Sequence, residues 1–343
     1  MKHFMDMLVP GRLYTEDFIA AISLFRVRHC SDPRDRAFGY FGLRSPSLDI
    51  KSVIPIDYTL SIADLYQKLA VALIEKSHTL DVLSHVLHRS SVEKRTDGLP
   101  SWVPDWDATI DDWYHLTYTE RTNMIRHCRA SGDMKPEWRV QEAGHVITHG
   151  LQIEATAPGY PSIIPGSTLG GKTVINEWRR LADLSTYPDA SPTEKQSGNE
   201  RERAFENALS GGFTYMKWSQ GSLEYTKAYR AWLEWFVSSE VALAKSCKQI
   251  IQDFDGLIRQ TSERRRFIVT SDGQVGFGLE GAEKGDVVVI IPGRKVPYVL
   301  RRVEVSDCGV RRYRLLGDAF INGARAGEKV DPSTSELTKI VIV

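Results

Sequence analysis

A chain of 343 residues with 42% apolar and 26% charged side chains is long enough for one large or two modest globular domains. Lys plus Arg and Asp plus Glu both number 44, so no global charge steers the protein toward nucleic acid or anionic lipid. No stretch approaches the ~18 uninterrupted apolar residues of a membrane span, and Met1-Lys2-His3-Phe4-Met5-Asp6 lacks the layout of a secretory signal, which sets the expectation of a soluble cytoplasmic protein.

Cys30, Cys128, Cys247 and Cys308 lie far apart without a CxxC pair, a spacing that suits free thiols in a reducing compartment and not a zinc site. No internal repeat is visible. Thr15 followed by Glu16 and Asp17 predicts a helix start, with Phe18, Ile22 and Phe25 on one face. Ser61-Ile-Ala-Asp64 is a capping-box-like start, and Ile62, Leu65, Tyr66, Leu69, Ala72 and Leu73 keep helical spacing to about Ser77. Leu80, Leu83, Val86 and Leu87 form another short apolar stripe. Residues 97–112 then change to Pro, Gly, Trp and Asp, the composition of an ordered loop. A strand follows over 146–155. Residues 185–203 are polar and punctuated by Pro188, Pro192 and Gly198, which predicts a mobile insertion. Residues 222–257 return to helical spacing with Trp232, Phe236 and Val241.

The last section changes period. Two apolar runs, 266–270 and 275–279, flank Ser271-Asp-Gly-Gln274, a tight hairpin signal. Runs over 286–291, 296–303 and 312–316 follow, each bounded by Gly, Asp or Pro. Five short strands at this spacing predict a small barrel or strongly bent sheet. The expected fold class is α+β, with a mainly helical N-terminal and central part and a small C-terminal β-barrel-like module. The expected divisions are a helical region at 1–160 with the Trp/Pro loop, a helical region at 161–260 carrying the polar insertion, and the β-module at 261–343.

Several patterns carry chemistry in other settings. Gly166-Ser-Thr-Leu-Gly-Gly171-Lys172-Thr173 fits the phosphate-loop template, whose backbone N–H groups, Lys and hydroxyl hold phosphates and magnesium. Pro165 ends the preceding stretch, however, and no repeated βαβ pattern supplies a parallel sheet. A chance Gly/Ser-rich match, with no cofactor, is the better reading. His145 and His149 have the spacing of a helical metal pair, yet they fall in a predicted strand, where that spacing spans ~13 Å. His85 and His88 lack a nearby Cys or carboxylate, so no metal is expected. Arg264-Arg-Arg266, Arg301-Arg302 and Arg311-Arg312 make the module locally basic. Without interleaved aromatics, and with Glu280, Glu283, Asp286 and Glu304 among them, they do not form a nucleic-acid platform. Leu99-Pro-Ser-Trp102-Val-Pro-Asp105-Trp106 is a rigid loop with a large apolar payload. It reads as a buried corner or as a pocket wall with Asp105 as its polar handle.

Read together, these segments resemble the fungal heterokaryon-incompatibility (HET) domain family. The resemblance rests on Asp32-Pro33-Arg34-Asp35-Arg36 running on to Gly42-Leu43, on Ile56-Asp57-Tyr58 with Tyr66 beyond it, and on the 99–106 loop. In the module it rests on the Arg265 to Gly278 run, Gly285-Asp286, Val296-Pro-Tyr-Val-Leu-Arg301 and Gly317 to Gly323. The family's N-terminal signature segments find no counterpart here, so the resemblance implies the end of a HET domain plus the C-terminal region. It implies an interaction or regulatory module in heterokaryon incompatibility, with other HET-family proteins as partners. The alternative is a cofactor-independent enzyme of fungal natural-product biosynthesis, a pericyclase-like cyclase or isomerase that orients a small apolar substrate. Its candidate catalytic residues are Asp105, Tyr114 and His115. Trp102, Trp106, Trp113, Trp232 and Trp235 are its candidate pocket.

Overall fold

The computed structural model describes residues 19, 22, 26, 29–39, 41, 53–87, 95–108, 125, 128–135, 138–139, 144–147, 149–158, 168–186, 200–211, 222–237, 245–303, 311–324, 327–328 and 338–343. Contacts divide the chain into two units, residues 1–86 with 94–119 and residues 87–93 with 120–343. The predicted helix start at Thr15, with Phe18 and Phe25, lies outside the described residues, although Ile22 of that face is buried. No helix among the described residues is long and apolar enough to cross a membrane.

In the first unit, α1 is the single turn Asp35–Phe38 and α2 is Ile62–Ser77. The capping box forms as its sequence predicts. Ser61 Oγ accepts from the Asp64 N–H at 3.0 Å and donates to Asp64 Oδ2 at 2.7 Å, satisfying one of the free donors of the first turn. The helix stops at His78, whose φ of 52° is left-handed. Leu65, Tyr66, Leu69, Ala72 and Leu73 form its buried stripe, whereas Ile62 stays half-buried at the exposed start. The following apolar stripe becomes a 3-10 turn, Asp81–His85, with Leu80, Leu83 and Val86 buried.

The second unit is built on a ten-stranded sheet: β1 Trp138–Arg139, β2 Gly144–Ile147, β3 His149–Pro158, β4 Arg265–Thr270, β5 Val275–Leu279, β6 Val287–Ile290, β7 Tyr298–Arg302, β8 Arg312–Asp318, β9 Phe320–Ile321 and β10 Thr338–Ile342. Their order is β1-β2-β10-β8-β7-β6-β3-β4-β5-β9. Neighbours are antiparallel except for the parallel pair β8 and β10. The β4–β5 turn is the predicted hairpin, closed by the Thr270 N–H to Gln274 O at 2.9 Å and by Gly273 at φ 77°. The predicted strand over 146–155 spans β2 and β3, and β3 is hydrogen-bonded between β4 and β6, so the sheet extends well upstream of residue 261.

Two bent segments curl this sheet. One residue separates β8 from β9, yet β8 pairs with β7 while β9 pairs with β5. One residue likewise separates β2 from β3, yet β2 pairs with β10 while β3 pairs with β6. Gly276 makes the first closure possible, because a Cβ there would stand 1.9 Å from the Phe320 carbonyl oxygen. Across the same junction the buried Arg265 guanidinium donates to the Asp318 carboxylate and, at 3.1 Å, to the Phe277 carbonyl.

Both faces of β4 and β5 are buried, which explains their nearly continuous apolar runs. Ile268 joins Val288, Ile290, Val299 and Leu316 inside the curl. Phe267, Val275 and Phe277 point the other way, under α3 Thr168–Leu181, α4 Glu200–Leu209, α5 Leu223–Val237 and α6 Lys245–Ser262. There Trp178 stacks on Phe267 at 5.4 Å, and Trp232 stacks on Phe236 at 4.8 Å. Each such side chain contributes roughly 1.5–3 kcal/mol of burial. Residues 187–199 of the predicted polar insertion lie outside the described residues, and its last positions, from Glu200, belong to α4. Glu202 is buried there because Arg179 grips both its oxygens, at 2.6 and 3.0 Å, a compensation that local composition does not reveal.

One helical turn beyond Glu202, burial and then the Glu202 charge raise Glu206 to about 7 from an ordinary 4.5, outweighing Arg230 and Arg203. The native state therefore holds this proton after the unfolded chain has released it. The contribution to stability is complete below pH 4.5 and is lost as pH rises toward 7. Thermal melts of Glu206→Gln should show a flatter decline than the parent between pH 4.5 and 7. Parallel curves would show that Glu206 does not titrate in this way.

Candidate functional site

The Trp/Pro loop is built as a corner. Trp102 and Trp106 are buried, and Trp106 meets Tyr66 of α2 edge-on at 5.3 Å. Asp105, 4% exposed, spends its carboxylate on its own loop. It accepts from the Thr96 N–H at 2.7 Å, the Thr96 hydroxyl at 3.1 Å and the Asp107 N–H at 3.2 Å. Arg95 donates to the carbonyls of Pro100 and Val103, both at 2.5 Å, and Arg26 donates to that of Asp105. Of the two readings that its residues allow, the loop's geometry matches the buried corner.

The Asp-Pro-Arg-Asp-Arg segment ties the unit together. Arg34 grips both Asp32 oxygens, at 2.9 and 2.8 Å, and donates onward to the carbonyls of Tyr58 and Leu60. That grip lowers the Asp32 pKa and raises that of Arg34. Tyr58 lies under the same guanidinium, 5.4 Å from its ring centre, and donates its hydroxyl to Asp35, which raises its pKa. Arg36 reaches Asp107 at 3.1 Å and the Arg26 carbonyl at 2.9 Å. The Tyr66 hydroxyl donates to the Pro33 carbonyl, and burial raises its pKa strongly. These bonds hold residues 53–60 alongside α2.

Between that segment and α2 runs an open cleft of about 530 Å³. Val53, Ile54, Leu60, Val71 and Ala72 supply its apolar surface, with Val53 45% exposed; Ile56 and Tyr58, 52% and 48% exposed, lie on the same segment but do not line the cleft. Sequence reasoning passed over this cleft. Its walls are ordinary residues of a short non-helical segment and of α2, which carry no conspicuous motif. None of the predicted pocket residues lines it. A second cavity, about 20 Å³ beside Cys128, Thr261, Arg265 and Asp318, has room for a single water.

The remaining candidates are dispersed. Trp232 is in the helical core with its indole N–H 3.3 Å from Asp255 Oδ1, and Trp235 packs against the same cluster. Trp113, Tyr114, His115, His88 and Gly166 lie outside the described residues. Gly171, Lys172 and Thr173 fall inside α3, which starts at Thr168, so the Gly-Lys-Thr end of the phosphate-loop template is helical. His145 is on β2 and His149 on β3, with four strands between them in the sheet order. His85 is buried. No cluster of three metal-ligating side chains occurs among the described residues. In the module, Arg265 and Arg301 are committed to Asp318 and Asp286, whereas Arg302, Arg311 and Arg312 are exposed. Cys30 is an exposed and Cys128 a buried free thiol.

If Asp105 serves the corner, Asp105→Ala should lower urea-unfolding stability by about 1–3 kcal/mol through unpaired buried donors, and Asp105→Asn should cost less. An unchanged unfolding curve would return Asp105 to the catalytic candidates.

The Het-6 beta-barrel domain family matches residues 201–337. That range takes in α4 to α6 as well as β4 to β9, in keeping with the aromatic layer through which those helices pack on the sheet. The chain is 24% identical over 355 aligned positions to heterokaryon incompatibility protein 6, OR allele, of Neurospora crassa. The alignment covers 89% of this chain and 50% of the relative, so the chain spans about half the relative's length. No solved structure matches. Residues 201–337 thus resemble the Het-6 β-barrel family over helices and sheet together, and most of the chain is similar to a heterokaryon-incompatibility protein.

Proposed function

We propose that this chain acts in the fungal cytoplasm as a recognition module of heterokaryon incompatibility, binding another HET-family protein through its first unit. The observation that carries this reading is the open cleft along α2, lined by Val53, Ile54, Leu60, Val71 and Ala72, on a segment that also exposes Ile56 and Tyr58. Apolar groups gathered at a cleft are more consistent with a covered surface than are single scattered ones. The similarity to a protein named for heterokaryon incompatibility supports the setting, and the free thiols suit a reducing compartment. The cyclase or isomerase alternative has less support, since Trp102, Trp106 and Trp232 are packed into cores and Asp105 is occupied by its own loop.

Sedimentation velocity of this chain mixed with the Neurospora crassa relative at about 10 µM should show a complex. Val53→Ser and Ile56→Ser, both at exposed positions, should each weaken it about tenfold, or ~1.4 kcal/mol. No complex at micromolar concentration, or full binding by both variants, would overturn the proposal.

A further inference from the structure

Resting on that reading, we propose that the α2 cleft takes an extended, basic segment of the partner with apolar anchor side chains. Three carboxylates border the cleft, Asp57, Asp64 and Glu75, against the single ammonium of Lys68. The hydroxyl and N–H of Thr59 lower the pKa of Asp57, so it stays anionic at neutral pH. Asp64 and Glu75 are exposed on α2, where an approaching cation meets them from solvent.

The apolar contribution comes from between these charges. Val71 and Ala72 line the helix side, and Val53, Ile54 and Leu60 the opposite side. An apolar floor inside an anionic border matches a chain that alternates apolar anchors with Lys or Arg. It disfavours an acidic segment or an anionic lipid surface through like-charge repulsion. The stripe from Asp64 to Glu75 is about 16 Å long at ~1.5 Å per residue, the reach of about five extended residues. The cleft is open along this length, so a chain can lie in it without threading.

The test uses a fluorescein-labelled nine-residue peptide of alternating Leu and Lys. Its controls carry Glu for every Lys, or Ser for every Leu. Anisotropy with the whole chain should give a Kd of about 10–100 µM for the Leu/Lys peptide, tightening as salt falls. Each control should bind at least about tenfold more weakly. Glu75→Lys, at an exposed helix position, should weaken the Leu/Lys peptide about fivefold without moving the melting temperature. NMR shifts should fall on amides of 53–60 and α2. Equal binding of the Lys and Glu peptides, no effect of Glu75→Lys, or shifts elsewhere would each overturn the proposal. A complex with the Neurospora relative that is sensitive to Ile56→Ser, with no binding of the Leu/Lys peptide, would sink the charge assignment and leave the recognition reading standing. Failure of both experiments would remove both.

Discussion

At the closure of the sheet, one guanidinium answers two needs at once. Arg265 neutralises the buried Asp318 and donates to the Phe277 carbonyl. Elsewhere the same double use recurs. Arg179 holds Glu202 and the Ser185 carbonyl, and Arg301 holds Asp286 and the Gly281 carbonyl. In the first unit Arg34 holds Asp32 with the carbonyls of Tyr58 and Leu60, and Arg36 holds Asp107 with that of Arg26. For Arg179, Arg301, Arg34 and Arg36 the physical reason is the amount of non-periodic chain, whereas Phe277 lies within β5 at the sheet closure. Connections such as 53–60 and 281–286 leave carbonyls without a ladder or helical partner, and each needs a donor. A planar fork with five donors can serve a carboxylate and a carbonyl together, whereas an ammonium cannot hold the same geometry.

Local features of the fold were legible. The Ser61–Asp64 box, the Ser271–Gln274 hairpin and the strand runs from Phe267 to Leu315 depend on neighbours a few residues away, and composition records them directly. What was hidden depends on distance along the chain. Nothing near Ala319 tells that the residues on its two sides pair with β7 and β5, since the partners lie some twenty to forty positions upstream. Glu202 looked like part of a solvated insertion because Arg179 is 23 positions away. For the same reason the arginine-rich stretches read as a basic surface, although two of those arginines hold buried carboxylates.

The candidate site divides along similar lines. Trp102, Asp105 and Trp106 were conspicuous because rare residues were crowded together, and crowding is also what a buried corner requires. The α2 cleft was inconspicuous because its walls are ordinary residues, and only their exposure in the folded unit distinguishes them. The HET-like motif residues Asp32, Arg34 and Tyr58 stand between these cases. Their bonds position one side of the cleft, so motif and surface are linked through Arg34 even though few motif residues face the opening. This gives the resemblance a physical content: the motif residues specify how loops are held.

The most direct test of this account keeps the charge and removes the fork. Arg265→Lys retains a cation for Asp318 but cannot also serve the Phe277 carbonyl in the same plane. Urea unfolding should show a loss of about 2–3 kcal/mol, as expected for a buried acceptor and a poorly matched ion pair. A variant within about 0.5 kcal/mol of the parent, the range of an ordinary surface substitution, would show that charge alone suffices and would contradict the role given to the guanidinium.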